Sequence, residues 1–235
     1  RSIYISGERG INENFLLPIG YTGRANNALV TPDAYHRLYG NDATAYNNID
    51  SGDKMDLRLI DRAKTKADSQ GGGATDIPVL QPCKIDGNET FVCVMHVFQE
   101  DDLRSSTATG QWLDIQKAAA GAEGKNSPIF KGSMGMYRNC ILHSHRNVIR
   151  FNNAGAGANV EAARALFLGS QAAVVAFGSP GTNLRFDWHE ETRDNGDKVV
   201  ITTSSIFGVK KVTFTTPAGA QDFGAYALDT AAAAR

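Results

Sequence analysis

Apolar positions along the chain change their spacing twice. Across 53–68, Met55, Leu59, Ile60 and Ala63 fall on one stripe, with Arg58, Asp61, Arg62, Lys64 and Lys66 around it. That spacing predicts an amphipathic helix. Upstream, 3–5 and 15–17 are short apolar runs, and Thr31-Pro32-Asp33 has the form of a helix start. Gly71, Gly72 and Gly73 end the 53–68 helix and form a candidate flexible joint.

The period then shortens. Residues 78–85 and 90–97 flank Asp86-Gly87-Asn88-Glu89, the pattern of two strands around a turn. Phe91-Val92-Cys93-Val94-Met95 is an unbroken apolar run, as expected of a strand buried on both faces. Residues 99–104 and 110–120 read as helical, and 136–143 as one strand. In the last third, 147–151 reads as a short strand and 153–157 as a Gly/Ala-rich loop. An amphipathic helix is expected over 159–168, capped by Asn159 with Glu161 in its first turn. A buried strand is expected at 172–177, and a hairpin over 183–206 turning at Asp194-Asn195-Gly196-Asp197. Strands follow at 210–216 and 223–229, and 231–234 looks featureless. Mixed strands and helices with a hairpin-rich end predict an α+β fold.

Composition narrows the class. The chain has 235 residues, 42% hydrophobic and 21% charged, with 24 Lys+Arg against 25 Asp+Glu. This excludes a disordered chain, which needs low hydrophobicity and high net charge. It also excludes a strongly basic nucleic-acid binder. No apolar run approaches the ~20 residues that span a bilayer. Three cysteines, Cys83, Cys93 and Cys140, can form one pair at most, so a disulfide framework is not expected.

Candidate chemistry is sparse. Cys140, His143 and His145 lie within six residues. In a strand, however, Cys140 faces away from the two histidines, and no second Cys/His pair has structural-zinc spacing. Gly155-Ala156-Gly157 resembles the start of a dinucleotide fingerprint, but Val160 stands where the third glycine belongs. His189-Glu190-Glu191 lacks the second histidine of a zinc protease. Asp101-Asp102 and Glu190-Glu191 are adjacent carboxylates that diverge in either secondary structure. No serine sits in a nucleophile elbow. These letters read as a globular domain with no visible active site, no cofactor and no metal.

Longer strings carry a resemblance. They are Phe91-Val92-Cys93-Val94-Met95-His96 with Asp102-Leu103-Arg104; Gly110-Gln111-Trp112-Leu113-Asp114-Ile115-Gln116-Lys117-Ala118-Ala119; Asn126-Ser127-Pro128-Ile129-Phe130-Lys131-Gly132 with Gly135-Met136-Tyr137 and Ile141-Leu142-His143; Ala162-Ala163-Arg164-Ala165-Leu166-Phe167-Leu168-Gly169; and Asp222-Phe223-Gly224-Ala225-Tyr226-Ala227-Leu228-Asp229-Thr230-Ala231. In this order the chain resembles tailed-phage major capsid proteins, of the group related to the coliphage N-four head protein. Residues 91–231 match well and 1–90 more loosely.

The resemblance implies a Hong Kong 97-type capsid fold with peripheral and axial domains, without the N-terminal arm and protruding loop segment. Its expected divisions are 1–100, part of the peripheral domain with helix 53–68; 101–183, mostly axial; and 184–235, a hairpin and strands returning to the peripheral domain. It implies a structural protein, not an enzyme, that assembles with itself into hexamers and pentamers of an icosahedral head around double-stranded DNA. Decoration or portal proteins are further expected partners, with DNA bound only weakly and no membrane. The location implied is the virion capsid, assembled in the host bacterial cytoplasm. Interfaces favour Trp and Arg, which makes Arg104, Trp112, Arg164 and Arg185 candidate inter-subunit contacts, although Trp112, like Phe167, reads more readily as core. Gly155 and Gly157 join Gly71, Gly72 and Gly73 as candidate joints, and the loops 121–124 and 153–157 are candidates for the capsomer centre. The alternatives are another virion component, such as a decoration or tail protein, or a small nucleotide- or metal-dependent enzyme.

Overall fold

The structure is a computed structural model, described for residues 32–69, 79–85, 87–112, 135–146, 148–178, 187–204, 206–217 and 219–234. Its centre is a mixed sheet of eight strands. These are β1 (Arg37–Tyr39), β2 (Cys83–Ile85), β3 (Asn88–Met95), β4 (Met136–Tyr137), β5 (Cys140–Ser144), β6 (Arg150–Ala154), β7 (Val160–Leu168) and, from the far end of the described chain, β14 (Ala225–Ala231). The order across the sheet is β1-β14-β7-β3-β5-β4, with β2 paired to β3 and β6 to β7. Pairs β1/β14 and β3/β5 are parallel, and the others antiparallel. The sheet therefore draws strands from all three stretches into which the sequence divides.

Strands β7 and β14 are the spine of this sheet. Both faces of each are covered, so their sequences are small and apolar rather than alternating. Phe167, Ala165, Tyr226 and Leu228 turn to one core, with Leu59, Ile60, Phe91 and Met95. Leu166, Ala162, Ala225 and Ala231 turn to the other, with Ile49, Ile149 and Phe151.

This corrects the helix expected over 159–168. Ala, Leu, Glu and Arg favour helix by only a few tenths of a kcal/mol per residue. Burying Leu166 and Phe167 between two layers is worth about 1.5–3 kcal/mol each. Pairing with β14 and β3 supplies that burial, and the local preference loses.

Helix α1 (Leu57–Ser69) buries Leu57, Leu59, Ile60, Ala63 and Ala67. It starts later than the apolar stripe suggests, because Asp56 Oδ1 accepts from the Leu59 amide at 2.8 Å and so caps it. Asp53 instead accepts from the Asp50 amide at 2.8 Å in the preceding turn. Helix α2 (Val97–Ser105) opens with a capping box: His96 Nδ1 accepts from the Phe98 amide and Gln99 Oε1 from the His96 amide. The buried Gln99 Nε2 also donates to Thr230 Oγ1 at 2.7 Å and to the Ala163 carbonyl at 3.2 Å. One side chain thus caps α2 and fastens it to β7 and β14.

Smaller departures have local causes. At 32–36 there is only a three-residue 3-10 turn, Ala34–His36, capped by Asp33. The strand expected at 136–143 is a tight hairpin, because Arg138 and Asn139 both adopt positive φ, 46° and 59°, as a two-residue primed turn requires. Strand β3 buries Phe91, Cys93 and Met95 while Val92 and Val94 stay half-buried, so one of its faces is only partly covered. The end of the chain is structured: Ala231 lies in β14, and the buried Ala232 donates to the Glu161 carbonyl at 2.9 Å.

The remaining strands form three two-stranded pairs outside the main sheet: β8 (Ala173–Gly178) with β11 (Ile206–Lys211), β9 (Asp187–Arg193) with β10 (Lys198–Ser204), and β12 (Thr213–Thr216) with β13 (Gly219–Asp222). The hairpin expected from Asn-Gly is β9–β10, with Asn195 at φ 56° in its turn. Strand β8 is not buried as its sequence suggests; Val174 and Phe177 are exposed.

Candidate assembly surfaces

The residues singled out from sequence have different fates. Arg164 projects from β7 directly opposite Asp229 of β14. Its Nε and Nη2 donate to the two carboxylate oxygens at 2.5 and 2.7 Å. Only 2% of the Arg164 side chain and none of Asp229 meets solvent. The guanidinium also lies 5.0 Å from the Phe151 ring, within cation–π range. Burial alone would lower the Arg164 pKa, but the Asp229 carboxylate holds it above the ordinary value. This charge is satisfied inside the subunit.

Trp112 is 5% exposed and belongs to the α1-side core. Arg104 ends α2 and reaches Glu100 Oε1 at 3.1 Å, with its side chain 33% exposed. Exposed ion pairs of this kind contribute little stability, so Arg104 carries charge to the surface. Gly155 sits at φ +82°, and its amide donates to the Tyr46 carbonyl at 3.2 Å. A Cβ there would stand 2.7 Å from the Ile49 carbonyl oxygen, so close approach and positive φ together require glycine. A Cβ on Gly157 would lie 3.1 Å from Asn159 Oδ1. Arg185, Gly71, Gly72, Gly73, the loop 121–124 and the helix expected across 113–120 lie outside the described residues.

The chemical candidates do not converge. His143 and His145 stack with ring centroids 6.4 Å apart, His143 is exposed, and Cys140 is buried toward Cys93. Among the described residues, no group of three His, Cys, Asp or Glu side chains is placed to hold a metal. Gly155-Ala156-Gly157 leads into strand β7, not a helix, and loses the helix N-terminus that would receive a phosphate. Among the described residues, no helix is long and apolar enough to cross a membrane.

One electrostatic cluster ties the first described residues to the last strands. Asp33 and Asp222 exchange bonds, each backbone amide donating to the other's carboxylate at 2.8 Å. His36 Nδ1 lies 2.8 Å from Asp33 Oδ1, and Lys211 Nζ pairs with Asp222 at 2.5 Å. Burial pushes the Asp33 carboxyl up, but the His36 hydrogen bond and the Asp222 amide outweigh it and bring the pKa down from 3.8 to about 2. A depressed folded-state pKa stabilises above the unfolded value and loses that contribution as pH falls through the folded one. Discounted for its partial exposure, Asp33 should therefore contribute about 1 kcal/mol at neutral pH, fading between about pH 4 and pH 2. In urea titrations the gap between the native chain and Asp33→Asn should close across that window.

Among the described residues, the β9–β10 ribbon exposes several large apolar side chains. Every described side chain of the β9–β10 ribbon is exposed on both faces. The register pairs Trp188 with Thr203, Glu190 with Ile201, and Thr192 with Val199. Cross-strand partners share a face, so Trp188, Glu190, Thr192, Val199, Ile201 and Thr203 share one side, and His189, Glu191, Arg193, Lys198, Val200 and Thr202 the other. Trp188 is 63% exposed and Ile201 62%. In the sequence, Val199-Val200-Ile201 reads like a core strand. Only the two-residue alternation with β9 hints otherwise.

Comparison with known proteins places the chain in a family. The family described as phage capsid protein matches residues 3–234. A chain in the capsid structure of Ralstonia phage GP4 is 48% identical, with a TM-score of 0.72; the match covers 98% of this chain and 62% of that one. A chain in the capsid asymmetric unit of cyanophage Pam1 is 18% identical, with a TM-score of 0.66, covering 100% of this chain and 65% of that one, and shows a shared fold. The chain thus spans under two thirds of the length of either. No curated protein sequence matches. The chain belongs to the phage capsid protein family.

Proposed function

We propose that this chain is a shell-building subunit of a phage head, assembling with copies of itself into hexamers and pentamers around double-stranded DNA. The observation that carries the reading is the likeness of almost its whole length to the Ralstonia phage capsid chain. The physical character of the subunit supports it. Its formal net charge of −1 limits repulsion between neighbours and gives packaged DNA little to grip. A closed shell is built from heterologous contacts that complete rings, and such interfaces bury on the order of 2,000 Å² or more. A subunit held by several neighbours leaves only when all release it, so each contact can be modest.

In this reading the fold is of the Hong Kong 97 type. Residues 1–100 and 184–235 lie mainly in the peripheral domain and 101–183 mainly in the axial one, with loops 121–124 and 153–157 near the capsomer centre. Arg104 lies at a subunit boundary, and Gly71, Gly72 and Gly73 adjust between pentamer and hexamer. Decoration or portal proteins bind the finished shell, which forms in the bacterial cytoplasm and ends in the virion. Electron microscopy of particles from the expressed full-length protein tests this. Closed shells with five- and six-fold capsomers are expected, with loops 121–124 and 153–157 near their axes. Binding only as isolated copies on another protein's lattice would contradict it.

A further inference from the structure

We propose that the face of the β9–β10 ribbon that carries Trp188, Val199 and Ile201 docks against a second copy of this chain in the shell. The proposal rests on the self-assembly reading above and adds the surface that performs it.

A two-stranded hairpin is marginally stable by itself in water. This one belongs to no larger sheet among the described residues, and its described side chains bury nothing within the subunit. Seven residues on each strand make a ribbon roughly 20 Å long. Its two faces differ in kind. The polar face is internally paired, with Arg193 Nη2 3.0 Å from Glu191, and suits solvent. Beside the turn, Lys198 Nζ lies 2.6 Å from Asp194. The opposite face carries an indole and two branched aliphatics, Trp188, Val199 and Ile201, with Glu190, Thr192 and Thr203 beside them, a mix in which the aromatic anchor resembles an interface hot spot.

Charge decides the occupant. Residues 187–204 carry five acids, Asp187, Glu190, Glu191, Asp194 and Asp197, against two bases, Arg193 and Lys198. Nucleic acid, which demands a basic surface, is repelled. The other 217 residues carry 22 bases and 20 acids, so the ribbon is the acidic part of an otherwise slightly basic subunit. The remainder of a neighbouring copy, net positive by two charges, does not repel the ribbon as nucleic acid does, and a shell holds such copies at high effective concentration.

Fluorescence tests this without a mutation. The chain has two tryptophans, and Trp112 is 5% exposed against 63% for Trp188. Acrylamide should quench dissociated subunits mainly through Trp188, and assembly should reduce that quenching several-fold. A Trp188→Phe control identifies the signal. In parallel, Ile201→Glu should cut shell yield by about tenfold or more, as loss of an interface anchor does. Val200→Glu, on the opposite face, should leave yield unchanged. Shells that form with Trp188 still quenched as in free subunits overturn this proposal and leave the self-assembly reading standing. Normal yield from Ile201→Glu does the same. If the native chain forms no shells, the self-assembly reading falls and takes this proposal with it.

Discussion

Replacing Arg164 by alanine should destabilise the subunit by about 3–5 kcal/mol, the usual cost of stranding one member of a buried ion pair. Asp229 would be left with no solvent exposure and without its bidentate partner. The carboxylate could then recover only by taking up a proton, so the loss should shrink as pH falls toward the carboxylate range. The pair lies at matching register on β7 and β14, where a shifted pairing would separate the charges, so it also specifies the alignment of the central strands. Replacing both partners together, Arg164→Met with Asp229→Leu, should recover much of the stability, because apolar substitutes avoid the desolvation of two charges. Denaturant titration of the three variants reads all these values. A loss below about 1 kcal/mol for Arg164→Ala would show that the pair is not buried as described.

Phe167→Ala should have a comparable effect, about 3–5 kcal/mol, for a different reason. Phe167 is fully buried on β7 and pairs in register with Cys93 and Tyr226. Its ring stacks on Phe91 at 5.0 Å and lies 6.5 Å from Tyr226. Truncation removes its own burial and leaves a cavity lined by two rings that backbone pairing holds apart. The comparison is Val174→Ala on β8, where 54% exposure leaves little to lose; its effect should fall within about 0.5 kcal/mol. Thermal unfolding of both variants distinguishes a core centred on β7 from one distributed over the outer strands.

What the sequence revealed, and what it hid, follows from the range of the interactions. Helix α1 was readable because its stripe is local, though its start at Asp56 was not, and the β2–β3 and β9–β10 hairpins because Gly87 and Asn195-Gly196 mark their turns. Strand β7 was not, because Ala162 to Leu168 has the letters of a helix. Its strand character comes from β14, more than 50 residues later, and from β3, about 70 residues earlier. The role of Arg164 was hidden with it, since Asp229 becomes its partner only once those strands pair. Exposure was hidden too: Val174, Phe177, Val199 and Ile201 are apolar and open to solvent. Such exposure is expected of the proposed subunit, whose neighbours would cover it. The family resemblance supplied what local patterns could not, a reason for a chain with no convergent chemistry.

The most direct test is the mass of the purified full-length protein under native conditions, by sedimentation or single-particle mass measurement. A container subunit predicts a population at the mass of a closed multi-subunit shell, exchanging with free capsomers and without turnover of any small molecule. A stable monomer or dimer at every concentration and salt, with no larger species, would contradict it.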